Sequence, residues 1–277
     1  MAQYSHIEWT DHTFNPWTGC TNISPGCDNC YAEAWSKRSG HVKWGNHARK
    51  RTTESYWKAP LIWQAKADQF EAVHGRRQRV FCASLADVFD NQADAEWRKD
   101  LFEIIRATPR LDWQLLTKRP QNIKKMLPAD WGDGYSNVWL GFTAEDQERF
   151  DQRKRVIEKV PAAVWFVSYE PAIGPLRLSA TGPVPDWLIV GGESGPNARP
   201  MEPGWVRDIV ADCEARRVAA FFKQWGSYAN NPLVIEEGRP LEEVKALDTQ
   251  GKGGGLLDGS TVRAFPASTV DTQRSAA

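Results

Sequence analysis

The sequence predicts an α/β protein, a partial or complete parallel β/α barrel of the (β/α)6 type with a loop-rich C-terminal extension. Three observations predict it: six short apolar runs, enough chain between consecutive runs for one helix and two loops, and polar residues directly after each run. Short apolar runs are typical of strands covered on both faces, and the spacing is typical of repeated βαβ units. An open doubly wound sheet is the alternative fold, because it has the same rhythm.

The six predicted strands carry mostly apolar side chains. They are Val80–Ala83, Trp113–Leu116, Val138–Leu140, Val164–Val167, Trp187–Val190 and Ala219–Phe222. A further strand on or beside Phe14–Trp17 has weaker support, because Pro16 cannot donate a ladder hydrogen bond.

Helical periodicity is readable between several of these strands. The apolar positions are Trp97, Leu101, Ile104 and Ile105 in one helix, and Val206, Ile209, Val210 and Cys213 in another. Asp94 is the predicted N-cap of the first helix, and Pro203 lies in the first turn of the second. Thr143 with Asp146 resembles a capping box that opens a charged helix, on which Arg153-Lys154-Arg155 is expected to be a solvated face.

Polar and ionisable residues recur at the carboxyl ends of the predicted strands, where a β/α barrel assembles its active site. They include Ser84, Asp87, Thr117, Lys118, Arg119, Tyr169, Glu170, Glu193, Lys223 and Gln224. For each acidic residue the alternative is an ion pair with a neighbouring strand-end Lys or Arg.

The length of 277 residues allows one large domain or two small ones. We expect a barrel domain over residues 1–226, with a basic insertion at about 35–58, and an extension over 227–277 whose small, polar end (Ala267–Ala277) is loosely ordered. No apolar run is long enough for a membrane-spanning helix, and the N-terminus lacks the features of a signal peptide, so we expect a cytoplasmic protein without a membrane partner.

Net charge does not indicate a nucleic-acid partner, because Lys plus Arg (35) equal Asp plus Glu (35). One local stretch of the sequence does indicate such a partner. The stretch from Trp35 to Thr53 carries six Lys or Arg and no acid. Cations that neutralise phosphates beside rings that stack on bases are typical of a nucleic-acid surface. The candidate contacts are Lys43, Trp44, Arg49, Lys50 and Arg51; the alternative is a soluble loop that covers a metal centre.

Cys20, Cys27 and Cys30 form a C-x6-C-x2-C loop. Thiolates this close in sequence can bind one metal centre, and the grouping favours a metal over disulfides in a reducing compartment. A structural zinc would need a fourth ligand, which His6 or His12 could supply. A 4Fe–4S cluster held by three cysteines would instead keep one iron open, and spacing alone leaves both possibilities.

The two remaining cysteines lie in apolar surroundings. Cys82 is in a predicted strand and Cys213 is on an apolar helix face, so both are expected to be packing residues. The position of Cys82 near the barrel mouth also makes it a candidate reactive thiol.

Several uncommon motifs occur together and in a fixed order. They are Asn15-Pro16-Trp17-Thr18-Gly19-Cys20, Ser24-Pro25-Gly26-Cys27-Asp28-Asn29-Cys30-Tyr31-Ala32, Leu116-Thr117-Lys118-Arg119-Pro120, Glu170-Pro171, Gly191-Gly192-Glu193-Ser194-Gly195 and Phe222-Lys223-Gln224-Trp225-Gly226. In these motifs, from about Ser5 to Gly259, the chain resembles the phage-associated three-cysteine-motif proteins, which are regarded as members of the radical S-adenosylmethionine (SAM) superfamily close to spore photoproduct lyase. The resemblance implies a partial β/α barrel, a 4Fe–4S cluster on the three cysteines, and SAM on the open iron.

The motifs depart from the superfamily pattern in two places. The cysteine loop is three residues longer in its first gap than the usual C-x3-C-x2-C, and Gly191-Gly192-Glu193 follows the sixth strand rather than the second. Spore photoproduct lyase binds SAM with a Ser-Asp pair and a Lys, for which Ser84, Asp87 and Lys118 are the nearest matches.

The remaining site residues follow from the same resemblance. Lys118 and Arg119 are candidates for the SAM carboxylate, Glu170 or Glu193 for its ammonium group or ribose, and Thr117 for the same cofactor site. Lys223, Tyr169 and Cys82 are the candidate catalytic residues.

The implied reaction is reductive cleavage of SAM to methionine and a 5′-deoxyadenosyl radical, which removes a substrate hydrogen. With the basic insertion, this predicts an enzyme that modifies, rearranges or repairs a base in nucleic acid, as in phage-type DNA hypermodification in a host cytoplasm, with a flavodoxin-type electron donor. The alternatives are a zinc-stabilised nucleic-acid-binding protein without catalysis, and a radical SAM enzyme with a peptide or small-molecule substrate.

Overall fold

A parallel sheet of seven strands organises the protein, whose computed structural model describes residues 5–179 and 181–267. The strands in these residues are β1 (His12–Thr13), β2 (Trp17–Thr18), β3 (Lys50–Arg51), β4 (Gln78–Cys82), β5 (Leu111–Thr117), β6 (Val138–Thr143), β7 (Val164–Tyr169), β8 (Trp187–Gly191) and β9 (Ala219–Gln224). The sheet has the order β1-β4-β5-β6-β7-β8-β9, and each adjacent pair is parallel. Strands β2 and β3 form a separate antiparallel ribbon.

The strand order follows the chain order, which excludes the doubly wound alternative. A doubly wound sheet reverses direction at a switch point, and this one does not. Because crossover connections between parallel strands are right-handed, a sheet in chain order carries its helices on one face and curls around the other. The fold is therefore the predicted partial barrel.

All six predicted strands are confirmed as β4 to β9, and most extend further than the apolar runs indicated. Thr117, Thr143 and Tyr169 lie in strands rather than after them. The weaker prediction at Phe14–Trp17 falls between two elements, since β1 ends at Thr13 and β2 begins at Trp17.

The helices pack mostly on the outer face. They are α1 (Tyr31–Ser39), α2 (Glu54–Trp57), α3 (Ala59–Ala65), α4 (Ala67–His74), α5 (Ala95–Ala107), α6 (Ile123–Met126), α7 (Gln147–Ile157), α8 (Pro203–Ala215), α9 (Pro232–Ile235) and α10 (Leu241–Leu247), with 3-10 turns at Pro25–Cys27, Pro120–Asn122 and Tyr228–Asn230. The predicted starts of α5 and α8 are confirmed: Asp94 caps α5 by accepting from the Glu96 N–H, and Pro203 is the first residue of α8.

Two predictions for α7 are wrong. Its cap is Asp146, which accepts from the Arg149 N–H at 2.8 Å, whereas Thr143 ends β6. The expected solvated face is also incorrect, because Arg153 and Lys154 are buried. Each is paired with a carboxylate, Glu145 and Glu158 respectively, so these charges stabilise the fold rather than face water.

Aromatic rings fill the concave side of the sheet at the level of the middle of the strands. One buried cluster, which contains no helix residue, holds the rings of Trp9, Trp139, Phe166, Trp187 and Phe221. The Trp139 and Trp187 rings meet edge to face with centroids 5.8 Å apart, a contact that adds about 0.5–1.5 kcal/mol beyond the buried area. These rings close the interior and leave the carboxyl ends of the strands open as a mouth.

Residues 227–267 pack along β9. The Phe222 N–H donates to the Val262 carbonyl and the Ala264 N–H donates to the Ala220 carbonyl, both at 2.8 Å. The Asp248 carboxylate accepts from the backbone N–H groups of Gly255 and Leu256 at 2.9 Å, which fixes the glycine-rich stretch. Of the terminus predicted to be loosely ordered, residues 268–277 lie outside the described residues.

In the described part of the chain, no helix is long and apolar enough to cross a membrane.

Gly192 and Gly226 let two backbone segments cross at the carboxyl ends of β8 and β9. The Gly192 N–H donates to the Gln224 carbonyl at 3.0 Å, and a Cβ on Gly192 would overlap the carbonyl oxygen of Trp225. A Cβ on Gly226, whose φ is +78°, would overlap the Glu193 carbonyl oxygen. The central glycine of the Gly-Gly-Glu motif is therefore required by packing.

We expect Gly192→Ala to lower the free energy of unfolding by about 3 kcal/mol, because backbone atoms would have to separate. Urea unfolding measures the change. Gly204→Ala is the matched control: a Cβ there meets nothing within 4 Å, so its effect should stay within about 0.5 kcal/mol. Equal stability of the two variants would contradict the crossing.

Candidate active site

The loop of residues 20–30, here called the cysteine loop, is fixed to the carboxyl ends of four strands. Side chains that follow β5, β6 and β8 bond to it directly. The contacts are Arg119 to the Thr21 carbonyl (2.8 Å), the Gly26 N–H to Glu145 (3.2 Å), Asn29 to Glu193 (2.9 Å) and Arg199 to the Pro25 carbonyl (2.8 Å). The fourth strand, β4, contributes through Asp87, which binds Arg119.

Asp87 is fully occupied by the residues around it. Its Oδ1 accepts from the Phe89 N–H (2.9 Å) and the Thr117 hydroxyl (2.7 Å). Its Oδ2 accepts from the Lys118 N–H (3.1 Å) and from the guanidinium of Arg119 (2.9 Å). Asp87, Thr117 and Arg119, all predicted to bind a cofactor, thus form one buried network that orients Arg119 toward the cysteine loop.

Glu145 forms a second buried anchor. Arg153 donates to its carboxylate at 2.6 Å and to the Thr143 carbonyl at 2.8 Å. Burial acts to raise the pKa of Glu145, but the charge and hydrogen bond of Arg153, together with Ser24 and the charge of Lys118, hold that pKa below its ordinary value. Glu145 is therefore a carboxylate, and it accepts from the Gly26 N–H.

Glu193 forms a third anchor and does not face the mouth freely. Its Oε2 accepts from Asn29 (2.9 Å) and from both the backbone N–H and Nε of Arg199 (2.9 Å). Arg199 also reaches Asp28 at 3.1 Å. Burial acts to raise the pKa of Glu193, and the bonds from Arg199 and Asn29 lower it overall. Glu193 therefore forms an ion pair with a neighbouring arginine, the alternative to cofactor binding expected from the sequence for each acidic residue.

The three cysteines of the loop are free thiols. Burial and the nearby Asp87 raise the pKa of Cys20 to about 11, against an opposing effect of Arg119, and burial raises the pKa of Cys30. Within the described residues, no three His, Cys, Asp or Glu side chains are arranged around a single metal ion. An iron–sulfur cluster does not require the three thiolates to surround a single ion, because each thiolate binds a different iron. Three thiols on one fixed loop therefore fit such a cluster as a donor set.

His12, one of the proposed zinc ligands, has other contacts. Its Nε2 is 2.8 Å from the Gln78 Oε1, and its ring stacks on Trp63 with centroids 4.2 Å apart. The other, His6, is exposed. The structure therefore does not assemble the tetrahedral site that the zinc alternative requires.

An ion pair lies across the mouth between the ends of β7 and β9. Lys223 Nζ is 2.7 Å from the Glu170 Oε1, and the Ser168 hydroxyl donates to the same carboxylate at 3.3 Å. Gly191 leaves room for it, since a Cβ there would lie 2.7 Å from Glu170 Oε1. Both side chains are only half-buried, so this pair remains accessible. The ammonium of Lys118 forms no direct ion pair with a carboxylate in the described part of the chain, although its charge acts on Glu145.

Tyr31, which directly follows Cys30, also lies at the mouth. Its side chain is 59% exposed, and its hydroxyl donates to the Ser84 carbonyl at 2.6 Å. Burial of the hydroxyl and the charges of Cys30 and Glu170 raise the pKa of Tyr31. The Ser84 side chain itself bonds to Asn15 at 3.0 Å. Tyr31 is thus a fixed aromatic ring that reaches from the cysteine loop toward the strand ends.

Of the three candidate catalytic residues, only Lys223 is at the mouth. Tyr169 and Cys82 are fully buried in the cluster that packs under the helices. Successive strand residues point to opposite faces, so Tyr169 points away from the mouth that Ser168 and Glu170 face. Placing Tyr169 and Cys82 in an active site was therefore wrong.

The basic insertion divides into buried and exposed cations. Arg49 is paired with Asp90 at 2.7 Å, with side-chain exposures of 0% and 3%, and also bonds to Thr21 of the cysteine loop at 2.7 Å. Arg51 bonds to Asp100 at 2.9 Å and lies over the Trp57 ring. The predicted nucleic-acid contact of Arg49 is therefore incorrect, because its guanidinium is enclosed, and that of Arg51 is weakened by its partners.

Three predicted contacts remain at the surface. Lys43 and Lys50 are exposed, and Trp44 is half-buried with its indole N–H donating to Asn22 at 3.3 Å. Gly45 N–H donates to the Cys20 carbonyl at 2.8 Å, so this surface adjoins the cysteine loop.

The anchors Glu145, Arg153, Arg199 and Asn29 and the ring of Tyr31 were not predicted from the sequence. For three of them the sequence did indicate a position near the site, since Glu145 follows a predicted strand and Asn29 and Tyr31 lie in the cysteine motif. Arg199 lies in an irregular loop and had no such indication.

We expect Arg49→Ala to cost about 3–5 kcal/mol of unfolding free energy, because it leaves Asp90 buried without a counter-charge. Lys43→Ala, in the same insertion, should change stability by less than about 0.5 kcal/mol. Urea unfolding of both variants tests this; a small effect of Arg49→Ala would show that its guanidinium faces solvent after all.

Two solved chains of one enzyme are similar to this protein in structure. One is a mutant spore photoproduct lyase with bound AdoMet and dinucleoside spore photoproduct; it is 14% identical, with a TM-score of 0.39, over 73% of this chain and 49% of that chain. The other is spore photoproduct lyase complexed with dinucleoside spore photoproduct, 15% identical, with a TM-score of 0.41, over 71% of this chain and 59% of that chain. The match thus spans about half to three-fifths of those chains.

None of the curated proteins matches the sequence. A protein family described as "Protein of unknown function (DUF5131)" matches residues 4–266, nearly the whole chain. The chain therefore belongs to the DUF5131 family.

Proposed function

We propose that this protein is a radical SAM enzyme that modifies, rearranges or repairs a base in nucleic acid. The observation that carries the proposal is the cysteine loop: three free thiols on one segment, over a mouth that retains the ion pair of Glu170 and Lys223. Two buried carboxylate–guanidinium pairs and a third, half-buried one fix this loop. Such rigid support is what a redox centre needs to hold a cofactor at a set position.

Cys20, Cys27 and Cys30 would hold a 4Fe–4S cluster. When bound, a cluster with one open iron would supply the chemistry of reductive SAM cleavage, with the electron coming from an external donor, and so of hydrogen-atom removal from the substrate. The chain's own contribution is position and exclusion of water. The buried rings of Trp139, Phe166 and Trp187 fill the interior beneath the mouth and limit the access of water there.

The Glu170–Lys223 pair suits the methionine part of SAM. That group is a zwitterion, and an accessible carboxylate beside an accessible ammonium can exchange their mutual bond for bonds to it. Lys118, which forms no direct ion pair with a carboxylate among the described residues, supplies a further cation for the cofactor carboxylate. This assignment uses Glu170, whose side chain is 15% exposed, in preference to Glu193 and Asp87, which are 6% exposed and paired with arginines that hold the loop.

Lys43, Lys50 and Trp44 would contact the nucleic acid beside the cysteine loop. Exposed ammonium groups next to an indole match phosphates next to bases. The exposed ring of Tyr31 lies between this surface and the mouth contacts. Phage-type DNA hypermodification, with a flavodoxin-type electron donor, is the specific reaction that we favour.

Anaerobic reconstitution with iron and sulfide tests the proposal. We expect a brown protein that releases 5′-deoxyadenosine from SAM when dithionite is added. Cys20→Ala, Cys27→Ala and Cys30→Ala should each abolish both properties, whereas Cys213→Ala, a buried cysteine outside the loop, should retain them. A colourless wild-type protein with stoichiometric zinc would contradict the proposal.

The nucleic-acid part is tested separately by salt dependence. We expect Lys43→Ala/Lys50→Ala to weaken binding of a DNA oligonucleotide and to reduce the slope of log K against log salt by about two, one for each lost phosphate contact. Arg155→Ala/Lys159→Ala is the charge-matched control, because it also removes two exposed cations, which lie at the end of α7 and before the amino end of β7, opposite the mouth. Unchanged binding by the double variant would remove this surface from the proposal.

A further inference from the structure

Arg119 makes an unusual contact for a residue of the candidate site: its Nη1 lies 3.3 Å from the Cys20 Sγ. Of the charged side chains in the described part of the chain, it is the one hydrogen-bonded to a cysteine of the loop. Cys30 differs, since backbone N–H groups of Ala32 and Glu33 at the start of α1 serve it instead. A guanidinium is therefore hydrogen-bonded to one thiol of the three, while the charge of Lys118 acts on Cys30.

The guanidinium of Arg119 cannot readily leave this position. Nη1 also donates to Asp87 at 2.9 Å, and Nη2 donates to the Thr21 carbonyl at 2.8 Å. The Arg119 backbone N–H donates to the Thr117 hydroxyl at 2.8 Å, and the side chain is buried. Three fixed partners leave the guanidinium little freedom to reorient.

A fixed charge at this distance acts on the electron affinity of the metal that Cys20 would hold. Uptake of one electron makes such a site more negative by one charge, and a nearby cation stabilises the added charge, more strongly where water is excluded. Hydrogen bonds to ligand sulfurs act in the same direction. Asp87 opposes the cation, because its carboxylate accepts from the same Nη1 and its charge also acts on Cys20. The hydrogen bond from Arg119 to the sulfur remains as the local effect on the ligand.

We propose that Arg119 is a positioning residue that raises the reduction potential of the iron–sulfur cluster through its bond to Cys20. The inference rests on the proposed function, and it replaces the sequence-based expectation that Arg119 binds the SAM carboxylate. In this role Asp87 and Thr117 act through Arg119, by holding it against the sulfur.

The test is an electron paramagnetic resonance titration of the reconstituted protein, with dithionite as the electron donor. We expect the midpoint potential of Arg119→Gln to be more negative than that of the wild type, and that of Arg119→Lys to lie between them, since lysine keeps the charge but not the forked geometry. Arg153→Gln is the matched control: Arg153 is an equally buried guanidinium that anchors the same loop through Glu145 and bonds to no cysteine. The shift in its potential should be smaller than that of Arg119→Gln, because the loss of Arg153 leaves Glu145 without its counter-charge beside the loop but removes no hydrogen bond to sulfur.

The outcomes separate the two proposals. A wild-type protein that binds no cluster overturns both. A wild-type potential in Arg119→Gln, or an equal shift in Arg153→Gln, overturns the role of Arg119 and leaves the radical SAM proposal standing. Loss of iron from both Arg119 variants, with iron retained by Arg153→Gln, also overturns it, since Arg119 would then hold the cluster rather than tune it.

Discussion

The pair of Asp87 and Arg119 is the interaction on which the rest of the site depends. It joins the end of β4 to the end of β5 and then to the cysteine loop, so the loop is fixed relative to the sheet before any cofactor is considered. Both side chains are buried, and removing either would leave the other as an uncompensated charge. Two further ion pairs link later strand ends to the loop in the same way, namely Glu145 with Arg153 and Glu193 with Arg199. Together these pairs explain how a long, irregular loop keeps one conformation over the mouth.

These ion pairs also change the role that the strand-end carboxylates have in the site. In a β/α barrel such residues normally face the ligand, but here three of them face arginines. Glu170, which pairs with Lys223, is the least buried of the four acidic anchors and candidates. The electrostatic work is thus divided: buried pairs position the loop, and the accessible pair and the ammonium of Lys118 remain for a ligand. A protein with no net charge can hold a strongly charged site in this way, because each buried charge has its partner beside it.

The fold was predictable because strand identity is a local property. Each run such as Trp187–Val190 is apolar throughout, since a strand between helices and barrel interior is covered on both faces. Because residues on both faces of these runs are apolar, the sequence does not show which alternate side chains face the barrel interior. Tyr169 and Cys82 were therefore placed on the wrong face of the sheet. The cysteine loop was visible from spacing. Its anchors were not, because Arg119 bonds to a residue 98 positions away and Arg199 to one 174 positions away, and only folding brings them together. Arg49 illustrates the same limit, since a cation beside a tryptophan in sequence was enclosed by an aspartate from another segment.

The short pairing of residues Val262–Ala264 with β9 has a consequence for self-association. An outer strand with unpaired backbone groups is a template for another copy of the chain, and apolar β9 would be a strong one. Here the chain supplies its own antiparallel neighbour, and Arg263 is bonded to Glu8 at 2.8 Å, so the neighbour is also held in place by a charge from the opposite end of the sequence. The other border of the sheet is β1, only two residues long. Resistance to edge-to-edge aggregation therefore depends on a few residues far from the chemistry.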